Sequence, residues 1–400
     1  MKENSSALYS EYIIDGIRMD STPAGMLMEC MTSDSDEPSS GHTAAGTVID
    51  ETKDPVPGAA GHDGSETETY LRKVIDLRRK ADAAGGRDFR LSCPDFHTRL
   101  RIASSLIDTL WRKGHFRLEN VMLSAEWDWD QTGIGNMAAF YFSARAASEY
   151  IYDLGARLSS FGFREDCRQC RARFLPAGTG ASEMQLQSAE TDICDEDMAC
   201  TAPDSTRAAQ TIHMDTERKC PGKAVNDSRS LLIYIPFDTC GHRLGGSLFE
   251  EATGAQADAC PEIRDPDYFI DCYEVVREFV EDGIVLAAAT VSDGGLLPAA
   301  AEMCSGTGAV IDVSGIAASY MEKDTVRILF SEIPGVLIQI RESDADYVDS
   351  QLLLQDIAYY PVGHPGREDG HTVVKHSSRT DVAGILASLM SGLTSSEGED

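Results

Sequence analysis

The chain has 400 residues, enough for two or three domains of ordinary size, and its 42% hydrophobic content supplies at least one substantial core. Lys and Arg number 35 against 66 Asp and Glu, a formal charge of −31. An acidic excess of that size repels nucleic-acid backbones and anionic membrane surfaces, yet it leaves room for a nucleotide site built from local backbone N–H groups, with a metal ion to offset charge. No basic stretch followed by an apolar core opens the sequence, and no run reaches the roughly 18 apolar residues that span a bilayer, so the expected compartment is the cytoplasm. The 11 cysteines, an odd count, sit mostly singly in apolar segments, as Cys272 and Cys304 do. In a chain without an export signal that reads as buried free thiols rather than a disulfide framework.

Residues 32–68 are rich in Ser, Thr, Gly, Pro and Asp and read as a flexible arm, because they cannot bury enough surface to offset their ordering entropy. Leu100, Ala103, Leu106, Ile107, Leu110 and Trp111 then fall on one helical face, and Gly114 ends the helix. The run LENVMLSAEW (118–127) predicts a strand, and residues 136–155 a second helix closed by Gly155. A polar stretch covers 171–228. Beyond it, LLIYIP (231–236) predicts a buried strand, GHRLGGSLFEEA (241–252) a glycine-rich turn and helix, and Phe269, Cys272, Val276, Phe279 and Val280 one face of a further helix. Residues 284–291 predict a strand feeding SDGG and the helical LLPAAAEM, and VLIQIR (336–341) another strand. Strands separated by helices imply an α/β layered domain. The division expected is an N-terminal arm over 1–69, a partial domain over 70–166, a polar cysteine-bearing insertion over 167–228, a C-terminal domain over 229–366 and a tail over 367–400.

Two turns stand out as candidate anion sites. Ser292-Asp293-Gly294-Gly295 lies between a strand and a helix, where Ser and Asp cap the helix and glycines admit a close approach to its free N–H groups. Gly245-Gly246-Ser247 repeats that logic after the strand at 231–236. The plainer reading of each is a capped turn; the pair together suggests two glycine-rich helix starts along one sheet edge. Cys167 and Cys170, with Cys194, Cys200 and Cys220, invite a zinc reading, but the later cysteines form no second close pair. Glu126, Asp128 and Asp130 alternate with Trp127 and Trp129, which places three carboxylates on one side of a strand end, either for magnesium or as a solvated acidic edge. His97 and His364 have no partners visible in the sequence, and no nucleophile elbow, Walker loop or dinucleotide fingerprint occurs.

The segments VLAAATVSDGGLLPAAAEM (285–303), DTVRILFSEIPGVLIQI (324–340), RLGGSLFEEATG (243–254) and DPDYFIDCYEVVREFVEDG (265–283) resemble, in order and spacing, the synthetase part of phosphoribosylformylglycinamidine synthase. VMLSAEWDWD (121–130) and the helix after Gly135 resemble the LSANW region of the same family, so the likeness covers about 95–163 and 229–365. The resemblance implies the α/β (α+β) two-domain fold of aminoimidazole ribonucleotide synthetase, with a truncated N-terminal domain that pairs through a barrel. It also implies ATP-dependent amidation of formylglycinamide ribonucleotide with ammonia from a glutaminase, and ATP or ADP with Mg2+ in a cleft between the domains. On that footing Gly245, Gly246, Ser247, Ser292, Asp293, Gly294 and Gly295 line the phosphate side of the cleft, facing a purine-pathway nucleotide or another phosphorylated small molecule. The partners implied are a second copy, or complementary synthetase and glutaminase chains.

The chain departs from the family where chemistry is placed. HD-x-S-D/A-GG becomes Ala289-Thr290-Val291-Ser292-Asp293, so the histidine is gone. A glycine-lysine-aspartate-serine motif becomes Phe161-Gly162-Phe163-Arg164, a Glu-Asp pair becomes Asn136-Met137, and the Asn of LSANW becomes Glu126. Loss of an imidazole and of a phosphate-neutralising lysine are changes that cost orders of magnitude in rate. Two expectations follow: a binding half that keeps the fold without turnover, or a ligase subunit that borrows ATP chemistry and ammonia from partner chains. A kinase-like activity of the same superfamily would need an aspartate-rich cluster that the sequence lacks.

Overall fold

In the computed structural model, which describes residues 6–31, 64–114, 116–165, 167–179, 219–254, 259–366 and 372–375, the apolar runs sort into two sheets with helices between them. The chain opens with α1 (Ser6–Tyr9) and a hairpin of β1 (Ile13–Ile14) and β2 (Ile17–Arg18). Asp15 and Gly16, at φ 53° and 80°, form the two-residue turn. Helix α2 (Pro23–Glu29) is capped by the Thr22 hydroxyl and buries Ala24 and Leu27. Residues 6–31 are therefore ordered, unlike the arm expected over 1–69, because Leu8, Tyr12, Ala24 and Leu27 give them a face to bury. Residues 32–63 lie outside the described residues.

Next come α3 (Gly64–Ala83), α4 (Pro94–Arg112), β3 (Val121–Asp128), α5 (Asn136–Asp153), β4 (Arg157–Arg164) and β5 (Arg171–Thr179). The three strands make one sheet in the order β4-β3-β5, with β4 parallel and β5 antiparallel to β3. Strand β3 alternates as the pleat requires: Val121, Leu123, Ala125 and Trp127 are buried, while Glu126 is exposed. The helical stripe anticipated at 100–111 is buried in full. Strand β5 falls within the stretch expected to be a polar insertion. Its inward residues Ala172 and Phe174 alternate with Arg171 and Arg173, and short alternating strands of this kind hide in a polar composition.

The remaining elements are β6 (Leu231–Pro236), α6 (Leu248–Thr253), α7 (Pro266–Glu281), β7 (Val285–Val291), α8 (Leu296–Met303), β8 (Ala309–Asp312), α9 (Ser314–Ser319), α10 (Thr325–Phe330), β9 (Gly335–Ile340), α11 (Ala345–Leu354), β10 (Tyr360–Pro365) and β11 (Thr372–Lys375). The strands form a six-stranded sheet in the order β11-β8-β10-β6-β9-β7, antiparallel except for β11 against β8. Both faces are covered, which is why β6 and β9 read as unbroken apolar runs. Ile233, Ile235, Val336, Ile338 and Ile340 join one core with α4, α5 and α7, while Leu232, Tyr234 and Leu337 join another with α8 and α10. The helix expected across 241–252 is confined to α6; Gly246, at φ 73°, keeps the preceding residues in a loop. Among the described residues no helix is long and apolar enough to cross a membrane.

One expectation about the cysteines is corrected: Cys93 and Cys260 are joined as a disulfide across a sequence separation of 167. The spacing of single cysteines carries no information on which of them meet in space. Cys30, Cys272 and Cys304 are buried thiols, as expected.

Candidate functional site

Strand β7 ends at Val291 and delivers the turn Ser292-Asp293-Gly294-Gly295 against α8. Gly294 and Gly295 have φ of 87° and 85°, and a Cβ on Gly295 would sit 2.7 Å from the Phe330 carbonyl carbon. Glycine is therefore required there by both conformation and space. The Gly294 N–H donates to Glu332 Oε1 at 2.8 Å, and the Leu248 N–H, first in α6, donates to the same oxygen at 2.7 Å. Glu332 is fully buried, and its Oε2 accepts from Arg87 Nη1 at 2.9 Å. The Arg87 guanidinium also donates to Asp293 Oδ1 at 3.0 Å and to the Gly246 carbonyl at 2.6 Å.

One buried ion pair thus ties both glycine turns together. Burial works against the charge on Arg87, but Glu332 and Asp293 more than offset it and its pKa is raised. Burial likewise opposes the Asp293 carboxylate, yet Arg87 and Arg101 overcome it and hold the pKa below the usual range. For Glu332 burial prevails over the pull of Arg87, and its pKa is raised.

The seven anticipated residues do not share one cavity. Ser292 and Asp293 open on a cleft between the two sheets; Gly245 and Gly246 open on a separate cavity of about 770 Å³. Ser247 caps α6, accepting from the Glu250 N–H at 3.2 Å and donating to the Leu244 carbonyl at 2.6 Å. Gly294 and Gly295 complete the turn and line none of these cavities. Two of the amides proposed for phosphate already hold carboxylates: the Gly294 N–H donates to Glu332, and the Gly246 N–H to Glu250 Oε2 at 2.8 Å.

The cleft at Ser292 consists of a chamber of about 620 Å³ and a smaller one of about 210 Å³ that share Arg78, Ser104, Phe174, Leu175 and Ser292. Its walls are α3, α4, β5, the segment at 222–223, β7 and α8. Eight Arg and Lys side chains line it against four Asp and Glu. In a chain of charge −31, cations thus outnumber carboxylates along this lining. At the base Arg101 donates to the carbonyls of Ala172 and Arg87 at 2.6 and 2.8 Å, and burial lowers its pKa to about 10. Nearer the mouth Arg78 meets Glu302 at 3.4 Å, while Lys223 Nζ donates to the Glu302 carbonyl at 2.7 Å and to Ser305 Oγ at 2.8 Å. On the floor, Thr290 accepts from Trp111 Nε1 at 2.9 Å and donates to the Asp108 carboxylate.

Residues 232–376 match the family model described as AIR synthase related protein, C-terminal domain. The match falls on the C-terminal sheet and its helices. The chain is similar, in part, to phosphoribosylformylglycinamidine synthase. It is 24% identical over 303 residues to the probable chloroplastic/mitochondrial phosphoribosylformylglycinamidine synthase of Arabidopsis thaliana, covering 75% of this chain and 20% of that one. Against the Homo sapiens enzyme it is 24% identical over 153 residues, covering 38% and 11%. Against probable membrane antigen 75 of Saimiriine herpesvirus 2 (strain 11) it is 28% identical over 205 residues, covering 51% and 14%. The chain thus spans a fifth or less of these relatives. Among solved structures, Thermotoga maritima PurL complexed with FGAR is 12% identical with a TM-score of 0.49, covering 71% of this chain and 41% of that one.

Within the matched stretch, Ala289 and Thr290 stand where the family pattern has a His-Asp pair, and both line the larger chamber. No imidazole replaces the missing one there. The carboxylates of β3 are occupied by neighbouring strands: Asp128 meets Arg173 at 2.7 Å and Glu126 meets it at 3.2 Å, while Asp130 accepts from Thr132. Among the described residues no three His, Cys, Asp or Glu side chains are placed to hold a metal ion. The donor set for a resident magnesium ion is thus not found in the described residues. The cysteines at 194 and 200, grouped with Cys167 and Cys170 in the zinc reading, lie outside the described residues. His364 Nδ1 is 2.9 Å from the Ser230 carbonyl, a structural contact, and His97 is buried against the turn at 246.

Arg87 and Glu332 were not singled out by sequence reasoning. Glu332 lies within DTVRILFSEIPGVLIQI (324–340), and a carboxylate between two apolar stretches was the available signal. Arg87 follows Gly85-Gly86 with no periodicity to mark it.

Proposed function

We propose that this chain is a synthetase-like binding half that holds a phosphorylated small molecule of purine biosynthesis in the cation-lined cleft beside Ser292, without turnover of its own. The observation that carries this reading is the concentration of Arg and Lys around the two chambers of an otherwise acidic protein. Coulomb attraction in a partly enclosed, low-dielectric cleft favours an anion there and little else. The volume, about 620 Å³ for the larger chamber, falls in the range of nucleotide-sized ligands. The absence of an imidazole at Ala289 and Thr290 removes a proton-transfer group from the chamber wall, which supports binding without chemistry. We place this activity in the cytoplasm.

Thermal unfolding of the purified chain with ATP, ADP and formylglycinamide ribonucleotide, each with and without magnesium, tests the reading. A ligand specific to the folded state adds about 2.7 kcal/mol at a hundredfold excess over its Kd. The charge reversals Arg112→Glu and Lys223→Glu, both at the mouth of the cleft, are expected to abolish the shift while leaving the unliganded melting temperature within a few degrees. No shift with any of the three ligands overturns the reading. Turnover that emerges only when complementary synthetase and glutaminase chains are added supports a ligase subunit instead.

A further inference from the structure

Gly246 faces a group of sulfur and nitrogen atoms that the anion cleft does not use. A Cβ placed on Gly246 would lie 3.2 Å from Cys260 Sγ, 3.2 Å from His97 Nε2 and 3.6 Å from Cys93 Sγ, so all three surround one point on the turn at 244–247. Cys93 is the N-cap of α4, and His97 sits one helical turn on, its N–H donating to the Cys93 carbonyl at 3.2 Å. The His97 ring is 1% exposed, and its Nε2 has no hydrogen-bond partner among the described residues. Cys93 and Cys260 are joined as a disulfide, both are half-buried, and both residues line the cavity of about 770 Å³. The bond joins α4, in the core shared with β3 and α5, to the segment that leads into α7, and it lies directly over Gly246.

We propose that Cys93 and Cys260 are a thiol–disulfide exchange site, and that the oxidised pair fixes the turn at 244–247 and, through the bond from Arg87 to the Gly246 carbonyl, the arginine hub beneath the anion cleft. A thiolate of a dithiol reductant attacks Cys260 Sγ, the S–S bond breaks, and Cys93 leaves as a thiolate beside the N–H groups at the start of α4, which stabilise it. The second thiol of the reductant attacks the mixed disulfide and releases Cys260, leaving the reductant as a disulfide. Two electrons and two protons pass to the pair, both protons coming from the thiols of the reductant. A disulfide oxidant of the same class reverses the sequence. Exchange itself stands apart from the proposed ligand; only its effect on binding rests on that reading.

The test uses the full chain equilibrated in reduced and oxidised dithiothreitol at stepped ratios, then trapped by alkylation and weighed as peptides. Cys93 and Cys260 are expected to pass together from blocked to alkylated with one two-electron midpoint. Amide hydrogen exchange at 244–248 is expected to rise tenfold or more on reduction, and Cys93→Ser to show the fast exchange with or without dithiol. Alkylation of both cysteines before any reductant is added, or equal exchange in the two forms, overturns the proposal. ADP affinity measured on both forms separates the two readings. A several-fold difference supports the coupling, and equal affinity overturns it. If neither form binds ADP but exchange at 244–248 still responds, the cleft reading fails and the exchange site stands.

Discussion

Arg87 and Glu332 lie 245 positions apart in sequence and meet at 2.9 Å with neither side chain more than 4% exposed. Desolvating two charges costs several kcal/mol each, so the pair stabilises the fold only while both members and their hydrogen bonds are present. Arg87→Ala removes the cation and leaves Glu332 buried with two backbone donors alone. Urea unfolding of that variant is expected to show a loss of about 3–5 kcal/mol, against a loss within about 0.5 kcal/mol for an exposed pair such as Arg18–Glu11. The same pair explains what was illegible in the sequence at this scale. The candidate residues were chosen for what glycine turns offer a ligand, namely free N–H groups. The donor at Gly294 is taken by Glu332, and that depends on a contact between distant residues which no local pattern encodes.

At the level of elements the sequence was far more informative, because burial leaves a periodic signature. The apolar stripe of α4 and the continuous runs of β6, β7 and β9 were all readable, since each reports directly on one covered helix face or two covered sheet faces. Strand β5 was missed because its exposed face carries Arg171 and Arg173, whose charge dominates the local composition. The ordered N-terminal elements at 6–31 were missed for a similar reason: each is short, and none buries more than three residues. Junctions between elements carry a sharper prediction. Gly295→Ala places a Cβ 2.7–2.8 Å from the backbone of Phe330 and Ser331 at a φ of 85°, so α8 or α10 must shift. The expected cost is more than about 1 kcal/mol by chemical denaturation. Gly162→Ala in β4, with nothing within 4 Å of the new methyl, is expected to change stability by less than about 0.5 kcal/mol.

For the molecule as a whole, acid sensitivity follows from histidines that are buried neutral. Burial lowers the pKa of His242, packed edge-on against Tyr320 at 4.6 Å, from 6.5 to about 4. Its folded form therefore takes up a proton later than its unfolded form. Stability from this residue is complete above about pH 6.5 and is lost as the pH falls toward 4, by up to about 3 kcal/mol. Denaturation midpoints at pH 7.5 and 4.5 are expected to differ, and His242→Phe to remove a measurable part of that difference; an unchanged difference would assign the acid sensitivity elsewhere. The core shared by α4, α5, α7 and one face of the C-terminal sheet has a separate consequence. Cut free at residue 232, the C-terminal segment would keep α7 but lose α4 and α5 from the face of Ile233, Ile235, Val336, Ile338 and Ile340, so expressed by itself it is expected to gather with its own kind rather than stay monomeric.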